Sequence, residues 1–397
     1  MSCHHLDEFL QSTRQQLGTT KKKVIITGND SADLDSIISS LLFAYLSTIL
    51  SNSTKTTVYI PIVKVPKADL ELRPELKFVL DQAHVDYTKL ICLDELHRID
   101  PKDTQIILVD HNHLTAPFDQ PPWNACQVMG VLDHHVDEKY YLDAPLRNIQ
   151  MVGSCVTLVL EHFIKQRIDD DNTWLNEHMA RLALAPLLVD TVNLKWELGR
   201  TTELDLSIFH ILQRYQHKEE GTMTSSTDDY FKAIEKVKSQ VDSMSNPDIL
   251  RRDYKEFKVG PYRIGTSAVT WHFRAWAERE TSGYQTISEA AWEFALQRQL
   301  DMEVIFTAFD HDRDHIKTMK GDYRRELAIF VRTPALMAVK RELENNTDIQ
   351  LVKNGEFKEN DNMKASFYDQ GNVKMSRKQV WPLLKQFIEK SLNCIKE

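Results

Sequence analysis

Short runs of apolar residues, each ending in a polar residue or glycine, alternate with longer helical patterns through the first half of the chain. Val24-Ile25-Ile26-Thr27 runs into Gly28-Asn29 and reads as a buried strand, and residues 57–63, 89–93, 105–109 and 127–132 read the same way. Residues 36–50 carry an almost unbroken apolar helical pattern. A second apolar helix opens at Gly153-Ser154, and residues 178–193 read as a third, buried one. β-branched runs separated by helices predict a mainly parallel sheet with crossover helices on its faces. Ligands of such sheets bind just beyond the carboxyl ends of the strands.

The pattern then changes. Residues 217–229 (HKEEGTMTSSTDD) hold Met223 as their one apolar side chain and read as a linker. An amphipathic helix over 230–244 follows, then strands over 262–269, 304–309 and 326–331, and a C-terminal helix from about Pro382, since proline suits the first helical position. The prediction is α/β throughout: a first domain at 1–216, the linker at 217–229, and a smaller α/β domain at 230–397. A chain of 397 residues with 42% hydrophobic and 27% charged positions can support two such cores.

Charge and cysteine usage narrow the function classes. A net charge of −9 disfavours a general nucleic-acid binder, and local clusters such as Lys374, Arg377 and Lys378 leave a polyanionic substrate open. No apolar stretch approaches the length of a membrane span, and the first residues lack the basic and apolar segments of a secretory signal. Cys3, Cys92, Cys126, Cys155 and Cys394 are scattered and never at CxxC spacing. That pattern is expected of a reduced, cytoplasmic protein with neither a disulfide framework nor a structural zinc site.

The chemistry concentrates in four places where an apolar run drives straight into a carboxylate: Asp30 to Asp35, Asp110-His111-Asn112, Asp133-His134-His135, and Asp190. Each has an ordinary alternative. Asp33 and Asp35 suit a helix N-terminus, Asp110 suits a turn, and Asp190 suits the surface of a helix end. Three polar residues directly after an apolar strand need partners, however, and a buried carboxylate is costly unless paired or metal-bound. Aspartates, an asparagine and histidines without a thiolate make a donor set for Mg²⁺ or Mn²⁺. Such a set suits a pair of ions serving in-line displacement at phosphorus.

Together these segments resemble the DHH phosphoesterase family, in the branch of exopolyphosphatases, prune proteins and family II inorganic pyrophosphatases. The resemblance extends to Ser376-Arg377-Lys378-Gln379-Val380, which is similar to the motif of the family's C-terminal, DHHA2-type domain. It implies two divalent ions, Mn²⁺ or Mg²⁺, held by Asn29, Asp33, Asp35, Asp110, His134 and Asp190, with Asp110 bridging. It implies catalytic roles for Asp110, Asp133 and His135. Phosphate contacts are expected from His111, Asn112, His135, Lys255, Arg325, Arg377 and Lys378. Asn29 stands where the pyrophosphatases carry a histidine, a departure shared with the exopolyphosphatase and prune branch. The expected activity is hydrolysis of terminal phosphoanhydride bonds of inorganic polyphosphate, with neither nucleic acid nor membrane as partner. A prune-like interaction protein with short-chain polyphosphatase or nucleotide phosphodiesterase activity is the alternative. The nucleotide activity is disfavoured by the lack of a Gly-Gly-Gly-His motif.

Overall fold

Lys22–Thr27 (β1) is buried from its second residue onward, and its side chains alternate between two cores: Val24 and Ile26 face one and Ile25 the other. That two-sided burial makes it a central strand of a parallel sheet. The computed structural model describes residues 4–50, 56–166, 174–215, 226–240, 244–279, 283–310, 323–354 and 365–394. After an N-terminal helix, His4–Gln16 (α1), and β1 come Leu34–Leu50 (α2), Thr57–Val63 (β2), Pro74–Gln82 (α3), Ile91–Cys92 (β3), Thr104–Val109 (β4), Gln127–Asp133 (β5) and Leu146–Ile149 (β6). The six strands lie in the order β3-β2-β1-β4-β5-β6, with every neighbouring pair parallel.

This order has a consequence for ligand placement. The connections leaving β1 and β4 depart in opposite directions across the sheet, so a crevice opens between the carboxyl ends of these two adjacent strands. The helices Cys155–Gln166 (α4), Glu177–Asp190 (α5), Glu203–Gln213 (α6) and Thr227–Lys238 (α7) complete the first unit. α2 packs against α4, α5 and β2. Its residues 34–46 are all buried, which explains its lack of a polar face.

The chain forms two compact units, Met1–Lys238 and Ser239–Glu397. Residues 217–225 of the expected linker lie outside the described residues, and 227–229 open α7. α7, assigned to the second domain by the sequence reading, packs on α3 and α5 and buries Tyr230 and Ile234 in the first core. The expected strand at 89–93 shrinks to Ile91–Cys92, because Leu93 already starts a 3₁₀ turn.

The second unit holds Asn246–Arg252 (α8), Tyr254–Val259 (β7), Tyr262–Val269 (β8), Phe273–Glu278 (α9), Tyr284–Gln297 (α10), Met302–Thr307 (β9), Phe309–Asp310 (β10), Tyr323–Val331 (β11), Met337–Glu344 (α11), Leu351–Lys353 (β12), Ala365–Gln370 (β13) and Arg377–Cys394 (α12). Its sheet runs β12-β13-β11-β9-β8-β7, with β10 paired to β11. β8 and β9 are parallel and the other pairs antiparallel. One face packs on α9 and α10, the other on α11 and α12. α12 begins five residues before the expected Pro382 because Gln379 Oε1 accepts from Ser376 N at 2.9 Å and from its hydroxyl at 2.5 Å, closing the first turn.

Candidate metal centre

Every expected ligand of the first unit except Asp190 follows β1, β4 or β5 at its carboxyl end, around the crevice the strand order creates. Gly28 ends β1 without a side chain, and it must. A Cβ there would lie 2.4 Å from Ser36 Cβ, so only glycine lets the loop close onto the first turn of α2. That approach places Ser36 Oγ 2.6 Å from Asp110 Oδ2, which also accepts from Asn29 Nδ2 at 2.6 Å. Asp110 itself sits in the left-handed region at φ 60°, an uncommon conformation for a non-glycine residue and one typical of functional sites. Its N–H is held by Leu132 O at 3.0 Å and by Cys155 Sγ at 3.2 Å.

Asp35, in the first turn of α2, is 2% exposed. It accepts from Cys155 N at 2.7 Å and Val156 N at 3.0 Å, the first amides of α4, and from Ser154 Oγ at 2.8 Å. Burial, followed by the charges of Asp110 and Asp190, pushes its carboxyl well above the usual carboxylate range. His134 Nδ1 lies 3.1 Å from the Val152 carbonyl, so that nitrogen carries a hydrogen and donates it. Its Nε2 then faces Asp110 Oδ1 at 3.0 Å and Asp35 Oδ2 at 3.5 Å.

A cation resolves this arrangement. Neighbouring buried carboxylates repel one another, and His134 Nε2 faces two of them, as a ligand nitrogen would. Among the described residues, two groups have ligand atoms within 4.8 Å of one another: Asp110, His134 and His135, and Asp35, His134 and Asp190. They share His134, and their oxygen-rich, thiolate-free composition fits Mn²⁺ or Mg²⁺. Asp190 is the last residue of α5, and three left-handed residues, Val192, Asn193 and Leu194, turn the chain away directly after it.

Other expected site residues have different surroundings. Asn29 is 5% exposed, its Nδ2 donates to Asp110 Oδ2, and its Oδ1 accepts from Ser31 N at 2.9 Å. Both ends of the amide are therefore oriented by the fold, and Asn29, expected as a ligand, is hydrogen-bonded to Asp110. Asp33 is half-buried and its Oδ1 caps α2 by accepting from Ser36 N at 3.0 Å. Asn112 is buried. Its Nδ2 donates to Asp133 Oδ2 and to the Val136 carbonyl, and its Oδ1 accepts from Glu138 N, so Asn112, expected to contact substrate, also braces Asp133.

Asp133 in turn accepts from His135 Nδ1 at 2.7 Å and His135 N at 3.1 Å. Burial works against its charge, but the adjacent His135 outweighs it and brings the carboxyl down to about 2. His111 donates from Nδ1 to the Val109 carbonyl at 2.9 Å, and burial together with Lys64 lowers its ring to about 4. Ser36, Ser154 and Cys155 were not singled out from sequence as site residues. Only the Ser that follows Asp35 carried a local signal.

In the second unit, Arg377 and Lys378 are the first two residues of α12, Lys255 lies on β7 and Arg325 on β11. Arg325 is 7% exposed and donates from Nε to the Val373 carbonyl at 2.9 Å. Arg377 ties α12 to β7 and β8: Nη2 meets Asp253 Oδ1 at 2.5 Å, and Nη1 meets the carbonyls of Asp253 at 2.9 Å and Thr266 at 3.4 Å. Arg377→Ala is therefore expected to cost about 1–2 kcal/mol of stability, through loss of its bonds to the Asp253 carboxylate and to the Asp253 and Thr266 carbonyls. Lys378→Ala, at an exposed site, should cost nearly nothing. Thermal melts of the two variants read this directly, and equal melting temperatures would contradict it.

Comparison with known proteins agrees with this geometry. The DHH family N-terminal domain signature matches residues 23–187, and the DHHA2 domain signature matches residues 232–387. A Schizosaccharomyces pombe protein named as a candidate exopolyphosphatase is 28% identical over 401 residues, spanning 96% of this chain and 97% of its own. Mouse exopolyphosphatase PRUNE1 is 26% identical across 98% of this chain and 81% of its own. A manganese-dependent inorganic pyrophosphatase of Methanocaldococcus jannaschii is 26% identical across 62% of this chain and 70% of its own. The fold is shared with the crystal structure of a candidate family II inorganic pyrophosphatase from Methanococcus jannaschii, at TM-score 0.61 and 21% identity over 92% of this chain and 99% of that one. With its aspartates and histidines gathered at the carboxyl ends of β1, β4 and β5, and with both signatures matched in order, the chain carries a DHH family N-terminal domain followed by a DHHA2 domain.

Proposed function

We propose that the chain is a metal-dependent phosphoanhydride hydrolase that removes terminal orthophosphate from inorganic polyphosphate. The observation that carries this reading is the convergence of buried Asp35 and Asp110 on His134 Nε2, with half-buried Asp190 grouped beside Asp35 and His134, an arrangement that calls for a cation. The choice of substrate is supported by full-length relatives named as exopolyphosphatases. Divalent ions bound there lower the pKa of an attacking water and neutralise charge on phosphoryl oxygens.

The chain's own residues set the geometry. Asp35, Asp110, His134 and Asp190 would hold the ions. Asn29 and Ser36 fix the rotamer of Asp110. Asp133 orients His135 through Nδ1 and stabilises a proton on the ring, so that Nε2 is presented as a donor to a phosphoryl oxygen. Lys255, Arg325, Arg377 and Lys378 supply the positive charge that a chain of phosphates requires.

Pyrophosphate is the second reading, favoured by the similarity to manganese-dependent pyrophosphatases. Purified protein with Mn²⁺ or Mg²⁺, assayed on pyrophosphate, tripolyphosphate and long polyphosphate, separates the two. Orthophosphate is the expected sole product, with pyrophosphate the slowest substrate. Internal cleavage of the long chain, or pyrophosphate turning over fastest, would overturn the proposal.

A further inference from the structure

The loop between β1 and α2 carries Asn29 and Asp33 and leads into Asp35, and its own turn bonds, Ala32 N to Asn29 O and Ser31 N to Asn29 Oδ1, hold only part of it. It is built of small polar residues and passes through a left-handed alanine, Ala32, at φ 45°. Its support comes from the connection between β2 and α3, which places a buried cation on either side of it.

Arg73, directly before α3, is 3% exposed. Its Nε donates to the Ala32 carbonyl at 2.6 Å, its Nη2 to the Ser31 carbonyl at 2.5 Å, and its Nη1 to the Asp69 carbonyl at 2.9 Å. The planar guanidinium is thus spread over two consecutive carbonyls of the loop and one of its own segment, a task that a lysine's single ammonium cannot reproduce. On the other side, Lys64 follows β2 and is 5% exposed. It pairs with Asp30 Oδ1 and donates to Thr115 Oγ1, which passes its own hydrogen to Asp30 Oδ1 at 2.7 Å. The contacts therefore fall on three successive residues, Asp30, Ser31 and Ala32. They lie between Asn29, which orients Asp110, and Asp33, which caps α2.

We infer that Arg73 and Lys64 are positioning residues for the metal centre: they clamp the β1–α2 loop so that Asn29, Asp33 and Asp35 meet Asp110 in one geometry. The inference rests on the metal-dependent reading above. Burying an arginine against carbonyls is costly, and three consecutive loop residues would not need such support merely to connect a strand to a helix.

The test uses the full chain without metal, titrated with Mn²⁺ while free Mn²⁺ is followed by electron paramagnetic resonance, and with the melting temperature of the metal-free form measured in parallel. Arg73→Gln is expected to weaken Mn²⁺ binding about 10–100-fold, the range seen when the groups that orient metal ligands are removed. Thr115→Val, which deletes one hydroxyl and keeps the Lys64–Asp30 pair, should weaken it severalfold with the metal-free melting temperature nearly unchanged. If Arg73→Gln does not fold, Thr115→Val alone decides. Mn²⁺ affinity within twofold of the unaltered chain in a folded variant would overturn the clamp. Absence of Mn²⁺ binding by the unaltered chain would overturn the metal reading with it, so the two failures look different.

Discussion

Asp110→Asn is expected to lower phosphate release by about three orders of magnitude or more while leaving the metal-free protein at least as stable as the unaltered chain. The side chain faces two sets of partners. Oδ2 accepts from Asn29 Nδ2 and Ser36 Oγ, and Oδ1 faces His134 Nε2. An asparagine can keep its carbonyl oxygen toward the first pair and turn its amide hydrogens toward the imidazole lone pair. It is also among the residues that tolerate φ 60°.

Neutralising Asp110 removes the largest charge that opposes ionisation of Asp35. The metal-free fold loses a repulsion, and the metal loses the ligand placed between Asn29, Ser36 and His134. Loss of several kcal/mol of transition-state stabilisation corresponds to the expected fall in rate. Turnover, together with melting temperature in the presence and absence of Mn²⁺, distinguishes this from a folding defect. The variant should lose the stabilisation that bound metal confers. Turnover within tenfold of the unaltered chain would remove Asp110 from the site.

The second large effect is on stability and lies in the other unit. Glu303, the second residue of β9, is fully buried, and β9 is flanked by β8 and β11. Its Oε1 accepts from Ser267 Oγ at 2.7 Å, and Oε2 has no hydrogen-bond partner among the described residues. Gly265 makes room for it, since a Cβ there would lie 1.9 Å from Oε2. Burial raises the carboxyl to about 8, against the smaller opposing effects of Ser267, Arg298 and Arg377, with Glu256 adding to the rise.

An unfolded chain ionises glutamate near pH 4.3, whereas the folded chain keeps this proton to about 8. Stability is therefore complete below the lower value and falls as pH rises through the window, by up to about 1.4 kcal/mol per pH unit. Glu303→Gln cannot ionise. Its melting temperature should match that of the unaltered chain near pH 4–5 and exceed it increasingly toward pH 8.5, at about 2–4 °C per kcal/mol for a unit of this size. Melting curves that stay parallel across this range would contradict it.

How much of this was legible in the sequence varies by element. β1, β2, β4 and β5 announced themselves because a parallel strand buried on both faces must be apolar throughout, and α2 because it is buried all round. β6 was missed because its four residues, at the sheet edge, are all half-exposed and carry no two-sided signal. β7 was missed for a similar reason: most of its side chains are half-buried or exposed. β13, by contrast, is mostly buried, but its Ser366 and Asp369 interrupt the apolar run. The start of α12 was misplaced because a serine–glutamine turn outweighed the proline signal.

Asp33, Asp35, Asp110, Asp133, His134 and Asp190 were all readable as candidates, since an apolar run ending in a carboxylate sets an unpaired charge at the edge of a core. Their division of labour was not. Whether Asn29 is a ligand or a brace, whether Asn112 meets substrate or Asp133, and what Arg73 and Lys64 do depend on partners dozens of residues away. The chain by itself determined which residue types stand at the strand ends, because burial and periodicity are local properties. The strand order, with β4 laid beside β1, decided which of them meet. A hydrogen bond forms between atoms about 3 Å apart however far apart they stand in the chain.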